Sequence, residues 1–162
     1  MKVFYSDAPL DLDLNKESMF LAGPTPRSLA VKSWRILAIQ LLESFGYNGQ
    51  VIVPERSVPK EHIDYIEQTE WENYGTEKCS ILVFWVPRQL KDMPGFTTNV
   101  EFGRYVESGK VLYGRPTDAV KTRYLDWLYQ KFNTHPIHTD LEELLRLAAY
   151  KNVKEQIDKI IL

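Results

Sequence analysis

Glu101 is the residue of this sequence that is the clearest candidate for a chemical role. It lies in the stretch 94–103 (PGFTTNVEFG), between an apolar run over residues 81–86 and a helix-like segment that extends to Gly109. The apolar run predicts a buried parallel strand, and open α/β sheets bind ligands at the carboxyl ends of such strands. A carboxylate at that place can attack the anomeric carbon of a sugar. The stretch is therefore a candidate catalytic loop.

The same spacing also fits a structural role for Glu101. Thr98 and Glu101 match a capping box, in which the threonine binds the N3 amide and the glutamate binds the N-cap amide. Residues 139–142 repeat this pattern in a region that suggests no chemistry. In either role, the amides and dipole of the helix start are expected to keep the carboxylate ionised. Spacing alone favours the capping role over catalysis.

Cleavage of a glycosidic bond with retention needs a second acidic group, which protonates the leaving group. Glu72, in the polar segment before the apolar run, is the best candidate, and Asp92, in the loop before Glu101, is the alternative. A solvated helix acid would equally explain Glu72, and a surface loop acid would explain Asp92. The partner acid therefore stays open.

Two arginines follow predicted strands and are candidates for substrate binding. Arg88 stands next to Pro87, and Arg115 stands next to Pro116. A guanidinium binds phosphate and ribose oxygens well, although a surface salt bridge explains both residues equally well. Trp71 could stack on a base, but its place in a predicted helix favours packing in the core.

The elements that must position these residues alternate along the chain. Apolar runs predict strands over residues 2–6, 18–22, 51–53, 81–86 and 110–113. Helical periodicity predicts helices over residues 28–45 (with Ser28 as N-cap), 61–78, 99–109, 118–132 and 141–161. The alternation predicts one α/β domain over residues 1–162, whose parallel sheet carries helices on both faces. The most apolar strand, 81–86, is predicted to be central.

Right-handed crossovers place the carboxyl ends of parallel strands on one rim of the sheet. Four loops are expected to meet there, at residues 23–24, 54–56, 87–88 (with Glu101) and 114–115. Neither G-x-G-x-x-G nor G-x-x-x-x-G-K-[ST] occurs, which argues against dinucleotide oxidoreductases and phosphotransferases.

Composition narrows the class of protein further. A net charge of -2 over 162 residues argues against a nucleic-acid partner. No apolar run reaches bilayer length and the N-terminus does not resemble a signal peptide, so we expect no membrane partner and a cytoplasmic location. The single cysteine, Cys79, fits a reducing compartment. Three histidines and one cysteine show no ligand spacing, so we expect no metal and no cofactor.

Several motifs together resemble the nucleoside 2-deoxyribosyltransferase-like family. Residues 19–24 (MFLAGP) resemble its first strand and loop, and residues 97–103 (TTNVEFG) resemble its glutamate-aromatic-glycine element. Further matches follow in the family's order, at residues 71–72 (WE), 84–87 (FWVP) and 108–110 (SGK). The resemblance covers residues 18–116.

The resemblance implies a flavodoxin-like (Rossmann-like) sheet of about five strands and a nucleophile that falls on Glu101. It implies cleavage of the N-glycosidic bond of a 2-deoxynucleoside through a covalent deoxyribosyl-enzyme, which water or a second base resolves. The first loop would line the sugar and base pocket, with Ala22, Gly23 and Pro24. The acid on the helix before the central strand would fall on Glu72.

The sequence departs from the family at the positions that handle the base, where the better-studied transferases carry aspartates. One of these positions is Glu72, and the other falls near Asp92 or Gly95. Asn99, two residues before the nucleophile, can take part of that role. The departure puts base specificity in question more than sugar chemistry.

Three functions stay open at this point. The first is deoxyribosyl transfer between bases, and the second is an N-glycosidase that hydrolyses a nucleotide held by Arg88 and Arg115. The third is a non-catalytic nucleotide-binding module, in which Glu101 only caps its helix. The expected partners are a small-molecule nucleoside or nucleotide and a free nucleobase. Family likeness and the apolar stripe of the C-terminal helix also imply a homo-oligomer.

Overall fold

Five parallel strands form one sheet in the computed structural model, which describes residues 1–58 and 64–161, with side chains as far as Lys151. The strands are β1 (Lys2–Tyr5), β2 (Ser18–Ala22), β3 (Gln50–Val53), β4 (Ile81–Trp85) and β5 (Val111–Gly114). The helices are α1 (Trp34–Ser44), α2 (Tyr65–Lys78), α3 (Phe96–Tyr105), α4 (Arg123–Phe132) and α5 (Leu141–Ile161). The strand order is β1-β3-β2-β4-β5. This arrangement confirms the predicted flavodoxin-like α/β fold.

The two faces of the sheet carry separate hydrophobic cores, because successive strand residues point to opposite faces. Met19 and Leu21 of β2 belong to the core that contains residues of α1 and α5. Phe20 and Ala22 belong to the core that contains Phe102 of α3 together with residues of α4. Burial on both faces explains why the strands are continuous apolar runs. Helices therefore cover both faces, as the sequence predicted.

The middle of the sheet is β2, so the prediction of β4 as the central strand is wrong by one position. β4 is an interior strand with β2 on one side and β5 on the other. Every residue of β2 and of β4 is buried, so hydrophobicity does not distinguish the two places. The chain leaves β2 toward β3 and then crosses back to β4. The order reverses between β2 and β4, and ligands bind at such a switch point.

The start of α1 differs from the prediction because a different serine caps it. The helix begins at Trp34 rather than near Ser28, and the Ser33 hydroxyl accepts a hydrogen bond from the Arg35 amide (3.2 Å). Ser33 also donates to Glu55 beyond β3 (2.8 Å), a tertiary contact that local periodicity does not contain. The contact with the loop after β3 therefore determines which serine caps the helix.

The starts of the helices α2, α4 and α5 compare with their predicted positions in different ways. α2 begins at Tyr65 after the N-cap Asp64, and the predicted start of this helix at residue 61 lies outside the described residues. α4 begins at Arg123, later than the predicted residue 118. α5 extends over Leu141–Ile161 as predicted, although its first turn is capped by Asp140 rather than by the 139–142 box. No helix in the described part of the chain is long and apolar enough to cross a bilayer.

The predicted capping box at Thr98 and Glu101 does not form. α3 begins at Phe96, three residues before the predicted start, and its N-cap is Gly95 in the left-handed region (φ 62°). No side chain caps this helix. A Cβ at Gly95 would lie 2.7 Å from Pro24 Cγ, so the turn also needs a residue without a side chain. Glu101 therefore lies in the second turn of α3 and is not a capping residue.

Gly23 brings the loop after β2 against the end of β4. Its φ is 147°, and a Cβ at this position would lie 2.0 Å from the Trp85 carbonyl oxygen. Backbone cannot yield there as a flexible side chain would, because Trp85 belongs to an interior strand. Only glycine permits this approach at the switch point.

We expect Gly23→Ala to lower the free energy of unfolding by about 2–4 kcal/mol, because the methyl group meets backbone in a strained conformation. Urea denaturation measures the change. The matched control is Gly103→Ala in the exposed part of α3, where a Cβ meets nothing within 4 Å. This control should gain about 0.5–1 kcal/mol from helix propensity. Equal stabilities for the two variants would contradict the proposed role of Gly23.

Candidate active site

A crevice of about 470 Å³ opens at the switch point, between α2 and α3. The loops after β2 and β3 form its floor and one wall, with Gly23, Pro24 and Pro54. α2 contributes Glu72, and α3 contributes Glu101. The crevice therefore joins the loop after β2 to both carboxylates that the sequence suggested for catalysis.

A second cavity of about 620 Å³ lies elsewhere, at the amino-terminal edge of the sheet, and is larger. Its lining includes Lys16, Glu17, Tyr47 and Arg146. Among the described side chains it contains one carboxylate, that of Glu17, rather than a pair, and it lies away from the switch point. Size alone therefore does not identify the site, and chemistry favours the crevice.

Glu101 is held in the crevice with an unusually high proton affinity. Burial raises its pKa to about 7, the neighbouring charge of Glu72 adds to the increase, and Arg35 acts in the opposite direction. The helix amides do not keep it ionised as predicted, because Glu101 lies beyond the first turn, where the dipole effect has faded. Near neutral pH this carboxyl group therefore exists in both protonation states.

Glu72 occupies a different environment from Glu101. Burial raises its pKa too, while a hydrogen bond from Gln68 Nε2 to Glu72 Oε1 (2.6 Å) and the charge of Arg35 lower it. Two carboxylates that repel each other titrate as a pair. The last proton of the pair, which the charge of Glu72 helps Glu101 to hold, is kept up to about pH 7. An acid and an anion can thus coexist in one crevice at neutral pH.

Arg35 is the important site residue that the sequence reasoning missed. Its side chain is 1% exposed and donates hydrogen bonds to the carbonyls of Leu21 (2.8 Å) and Gly23 (2.7 Å) and to Glu55 (2.6 Å). It lines the crevice, and its charge acts on both Glu72 and Glu101. The helical spacing indicated that Arg35 is buried, because it lies three and seven residues before the buried positions Ala38 and Leu42.

The resemblance implied that the first loop lines a sugar and base pocket, which stays a prediction. Ala22, Gly23 and Pro24 all line the crevice. The carbonyl of Pro24 accepts a hydrogen bond from the Trp34 indole (3.1 Å), so α1 holds the loop in place. The carbonyl of Gly23 is likewise bound by Arg35 of α1 (2.7 Å).

Arg88 does not lie among the residues that line the crevice. Its side chain is buried and donates to the carbonyls of Lys121 (2.9 Å) and Gly95 (3.4 Å) and to Asn99 Oδ1 (2.5 Å). No carboxylate pairs with it in the described residues, so the alternative of a surface salt bridge does not apply either. Arg88 and Asn99 instead join the start of α3 to the loop before α4.

Arg115 and Asp92 also lie apart from the crevice-lining residues. Arg115 forms a two-pronged salt bridge with Asp126, whose Oδ2 lies 2.8 Å from Nη2, and the Tyr113 hydroxyl donates to the same carboxylate (2.9 Å). The backbone carbonyl of Asp92 accepts from the Arg27 amide (2.9 Å) and so joins two loops beside the crevice. Trp71 is half-buried against the core and donates to the Ala8 carbonyl (2.9 Å).

The crevice contains further polar groups that the sequence analysis did not select. The Tyr105 hydroxyl lies 3.0 Å from Thr76 Oγ1, and both residues line the crevice. Arg104 also lines it, but its guanidinium is engaged by Asn73 and Glu77. Their positions depend on α2 packing beside α3, which sequence periodicity does not specify.

Fold and site together describe an α/β protein with a crevice at a topological switch point, lined by two partly buried carboxylates. The family described as nucleoside 2-deoxyribosyltransferase like matches residues 16–119, more than half of the chain. The chain belongs to this family. The matched segment includes the first loop, Glu72 and Glu101. A search of curated proteins found no match.

Replacing Glu101 by glutamine should stabilise the protein at neutral and alkaline pH. The raised pKa of Glu101 means that the fold favours its protonated form, so its contribution to stability is lost as pH rises toward and through about 7. Relative to wild type, Glu101→Gln should gain roughly 1–3 kcal/mol at about pH 8 and little at about pH 5. Urea denaturation at both pH values measures this.

The matched control is Glu107→Gln, at an exposed position just after α3. Its stability should follow wild type at both pH values. A Glu101→Gln gain that is the same at pH 5 and pH 8, or a loss at pH 8, would contradict the inferred burial of an ionised carboxylate.

Proposed function

We propose that the protein is an enzyme that transfers the 2-deoxyribosyl group of a nucleoside between bases, through a covalent intermediate at Glu101. The observation that carries this proposal is the pair of partly buried carboxylates that line one crevice at the switch point. Family membership supports the transferase class and small-molecule nucleoside substrates. The absence of the predicted capping box removes the main argument for a purely structural Glu101.

In the first step, the Glu101 carboxylate forms a C–O bond with the anomeric carbon as the C–N bond to the base breaks. The electron pair of the C–N bond moves to the base nitrogen, and the proton on Glu72 is transferred to the base. Positive charge develops on the sugar in the transition state, which favours the ionised form of Glu101 beside it. The proposed reaction therefore needs Glu101 ionised and the proton of the pair on Glu72.

In the second step, a nitrogen of the incoming base attacks the anomeric carbon. The bond from this carbon to Glu101 breaks, the carboxylate is released, and the proton lost by the incoming base returns to Glu72. Water in place of the base would give free deoxyribose. The rigid first loop, with Gly23 and Pro24, lines the sugar and base and limits the access of water.

Base exchange tests this function directly. Incubation with a 2-deoxynucleoside and a different free base should give the new nucleoside, detected by chromatography. Glu101→Ala should lower the rate at least about 10³-fold, because the nucleophile is lost. The exposed acid Glu107 provides the control, since Glu107→Ala should retain the wild-type rate. A failure to exchange any pair of bases would refute the proposal.

The role of Glu72 as proton donor leads to a separate prediction. Glu72→Gln should slow the release of ordinary bases about 10²–10⁴-fold. It should have a much smaller effect on a 7-methylguanine deoxynucleoside, because that base is already cationic and leaves without a proton. Glu70→Gln, at an exposed position of the same helix, is the control. Equal slowing of both substrates would assign Glu72 a positioning role instead.

The pH dependence of kcat/KM follows from the proton that Glu72 is proposed to donate. In the wild type, kcat/KM should fall as pH rises above about 7, where the pair loses its last proton. In Glu72→Gln this fall should disappear, and loss of the neighbouring charge should lower the pKa of Glu101. A wild-type profile that rises through pH 7 would show that Glu72 does not donate the proton.

We also propose that the enzyme is a homo-oligomer. Large apolar side chains surround the mouth of the crevice, with exposed fractions of 75% for Tyr65, 70% for Phe96 and 72% for Val100. Contiguous exposed apolar residues are typical of interaction surfaces. Light scattering at micromolar concentration should give at least twice the 18.9 kDa mass of one chain.

A further inference from the structure

An aromatic ring, an amide and a carboxyl group lie along the face of α2 that lines the crevice. They belong to Tyr65, Gln68 and Glu72, whose spacing at i, i+3 and i+7 places them on one side of the helix. Glu101 lines the crevice from α3. The α2 side therefore carries groups that suit a planar base, whereas the α3 side carries the proposed nucleophile for the sugar.

The Gln68 amide has one orientation that fits its neighbour on the helix. Its Nε2 donates a hydrogen bond of 2.6 Å to Glu72 Oε1. A carboxylate oxygen only accepts hydrogen bonds, so the amide NH₂ group must point at Glu72 and the amide oxygen away from it. Among the described residues, no donor binds Gln68 Oε1. Because Gln68 is half-buried in the crevice wall, this oxygen is an acceptor for a ligand.

The second amide of α2 is occupied at both ends, unlike that of Gln68. It belongs to Asn73, which also lines the crevice. Its oxygen accepts a hydrogen bond from Arg104, and its Nδ2 donates to Glu77 Oε1 (3.4 Å). Gln68 engages only its NH₂ group within the described part of the chain. Gln68 is therefore the amide of α2 that is available for recognition.

The contact between Gln68 and Glu72 also determines which carboxyl oxygen can carry a proton. Oε1 accepts from Gln68, so a proton on Glu72 resides on Oε2. A base nitrogen that accepts a hydrogen bond from this proton stabilises the protonated form of Glu72. Binding of such a base therefore favours the position of the proton that the proposed reaction needs.

With a proton on Oε2, the two side chains offer a donor beside an acceptor. Adenine presents the complementary pair, because its N7 accepts and its N6 amino group donates. Cytosine presents the same pair at N3 and at its N4 amino group. Hypoxanthine and uracil carry a carbonyl oxygen in place of the amino group, so two acceptors would meet at Gln68 Oε1.

We propose that Gln68 determines base specificity, by selecting the amino-substituted bases adenine and cytosine over the keto bases hypoxanthine and uracil. Its amide oxygen accepts from the exocyclic amino group while Glu72 Oε2 gives its proton to the neighbouring ring nitrogen. This inference rests on the proposed function for the departure of the base, and it adds no bond change to that reaction. Asn99, which the sequence suggested for handling the base, is instead engaged by Arg88.

Substrate preference tests the role of Gln68. Wild-type kcat/KM should be about 10- to 100-fold higher for 2-deoxyadenosine than for 2-deoxyinosine, because one hydrogen bond is gained and one contact between acceptors is avoided. Gln68→Met keeps a similar length but has no acceptor, so it should reduce this ratio at least about fivefold. The ratio of 2-deoxycytidine to 2-deoxyuridine should fall in the same way. A ratio that Gln68→Met leaves unchanged in either pair would overturn the proposal.

The ratio of two substrates separates base recognition from other effects of the substitution. Loss of the contact with Glu72 slows both substrates alike, and a difference in how easily the two bases leave is the same for wild type and variant. Both effects cancel when the ratio of the variant is divided by that of the wild type. Gln130→Met makes the same change at an exposed position of α4 and should keep the wild-type ratio. Methionine and glutamine have similar helix propensities, so Gln68→Met should also keep the wild-type melting temperature.

Calorimetric binding of free adenine and free hypoxanthine distinguishes this inference from the proposed function, because it needs no turnover. Wild type should bind adenine about tenfold more tightly than hypoxanthine, and Gln68→Met should bind the two bases alike. This result without turnover of any nucleoside would support base recognition by Gln68 and refute the transferase. Turnover of nucleosides by a wild type that binds both bases equally would refute the role of Gln68 and leave the transferase standing.

Discussion

The buried guanidinium of Arg35 is the interaction on which the candidate site depends. A buried cation costs several kcal/mol unless its charge and its donors are satisfied. Here Glu55 supplies the opposite charge, and the carbonyls of Leu21 and Gly23 accept further hydrogen bonds. One side chain of α1 thereby joins the loop after β2 to the loop after β3. The positive charge of Arg35 also acts on Glu72 and Glu101, and it limits how far burial raises their pKa values.

The two carboxylates show why this crevice is unlike an ordinary surface cleft. α2 and α3 cover the same face of the sheet and bring Glu72 and Glu101 into each other's field. Their burial opposes folding when both are ionised, and stability given up at a functional site is a common cost of function. The hydrogen bond from Gln68 gives Glu72 an environment that Glu101 lacks. The charge of ionised Glu72 raises the pKa of Glu101, so the free protein favours the proton on Glu101, whereas the proposed reaction uses it on Glu72.

Some residues of the family-like motifs line the crevice, and others lie outside it. The first loop and Glu101 line the same crevice. Asn99, two residues before Glu101 in the same motif, contacts Arg88 instead. Gly103 stands in open surroundings on an exposed face, so packing does not explain its presence. Proximity along the chain is therefore a weak guide to proximity in the site, because a helix distributes neighbouring residues over several faces.

The sequence by itself determined the strands, their parallel arrangement and the rim on which Glu101 lies. Strands buried on both faces must be continuous apolar runs, and strands joined by helices must be parallel, so local pattern is sufficient. Only the tertiary structure decided that Gly95 starts α3, that Arg35 is buried and that Arg88 is engaged away from the crevice. These outcomes depend on contacts between segments far apart in the chain, such as Arg35 with Glu55 and Gly95 with Pro24. The capping box at Thr98 failed for this reason, since the approach of the loop after β2 selects a glycine turn three residues earlier.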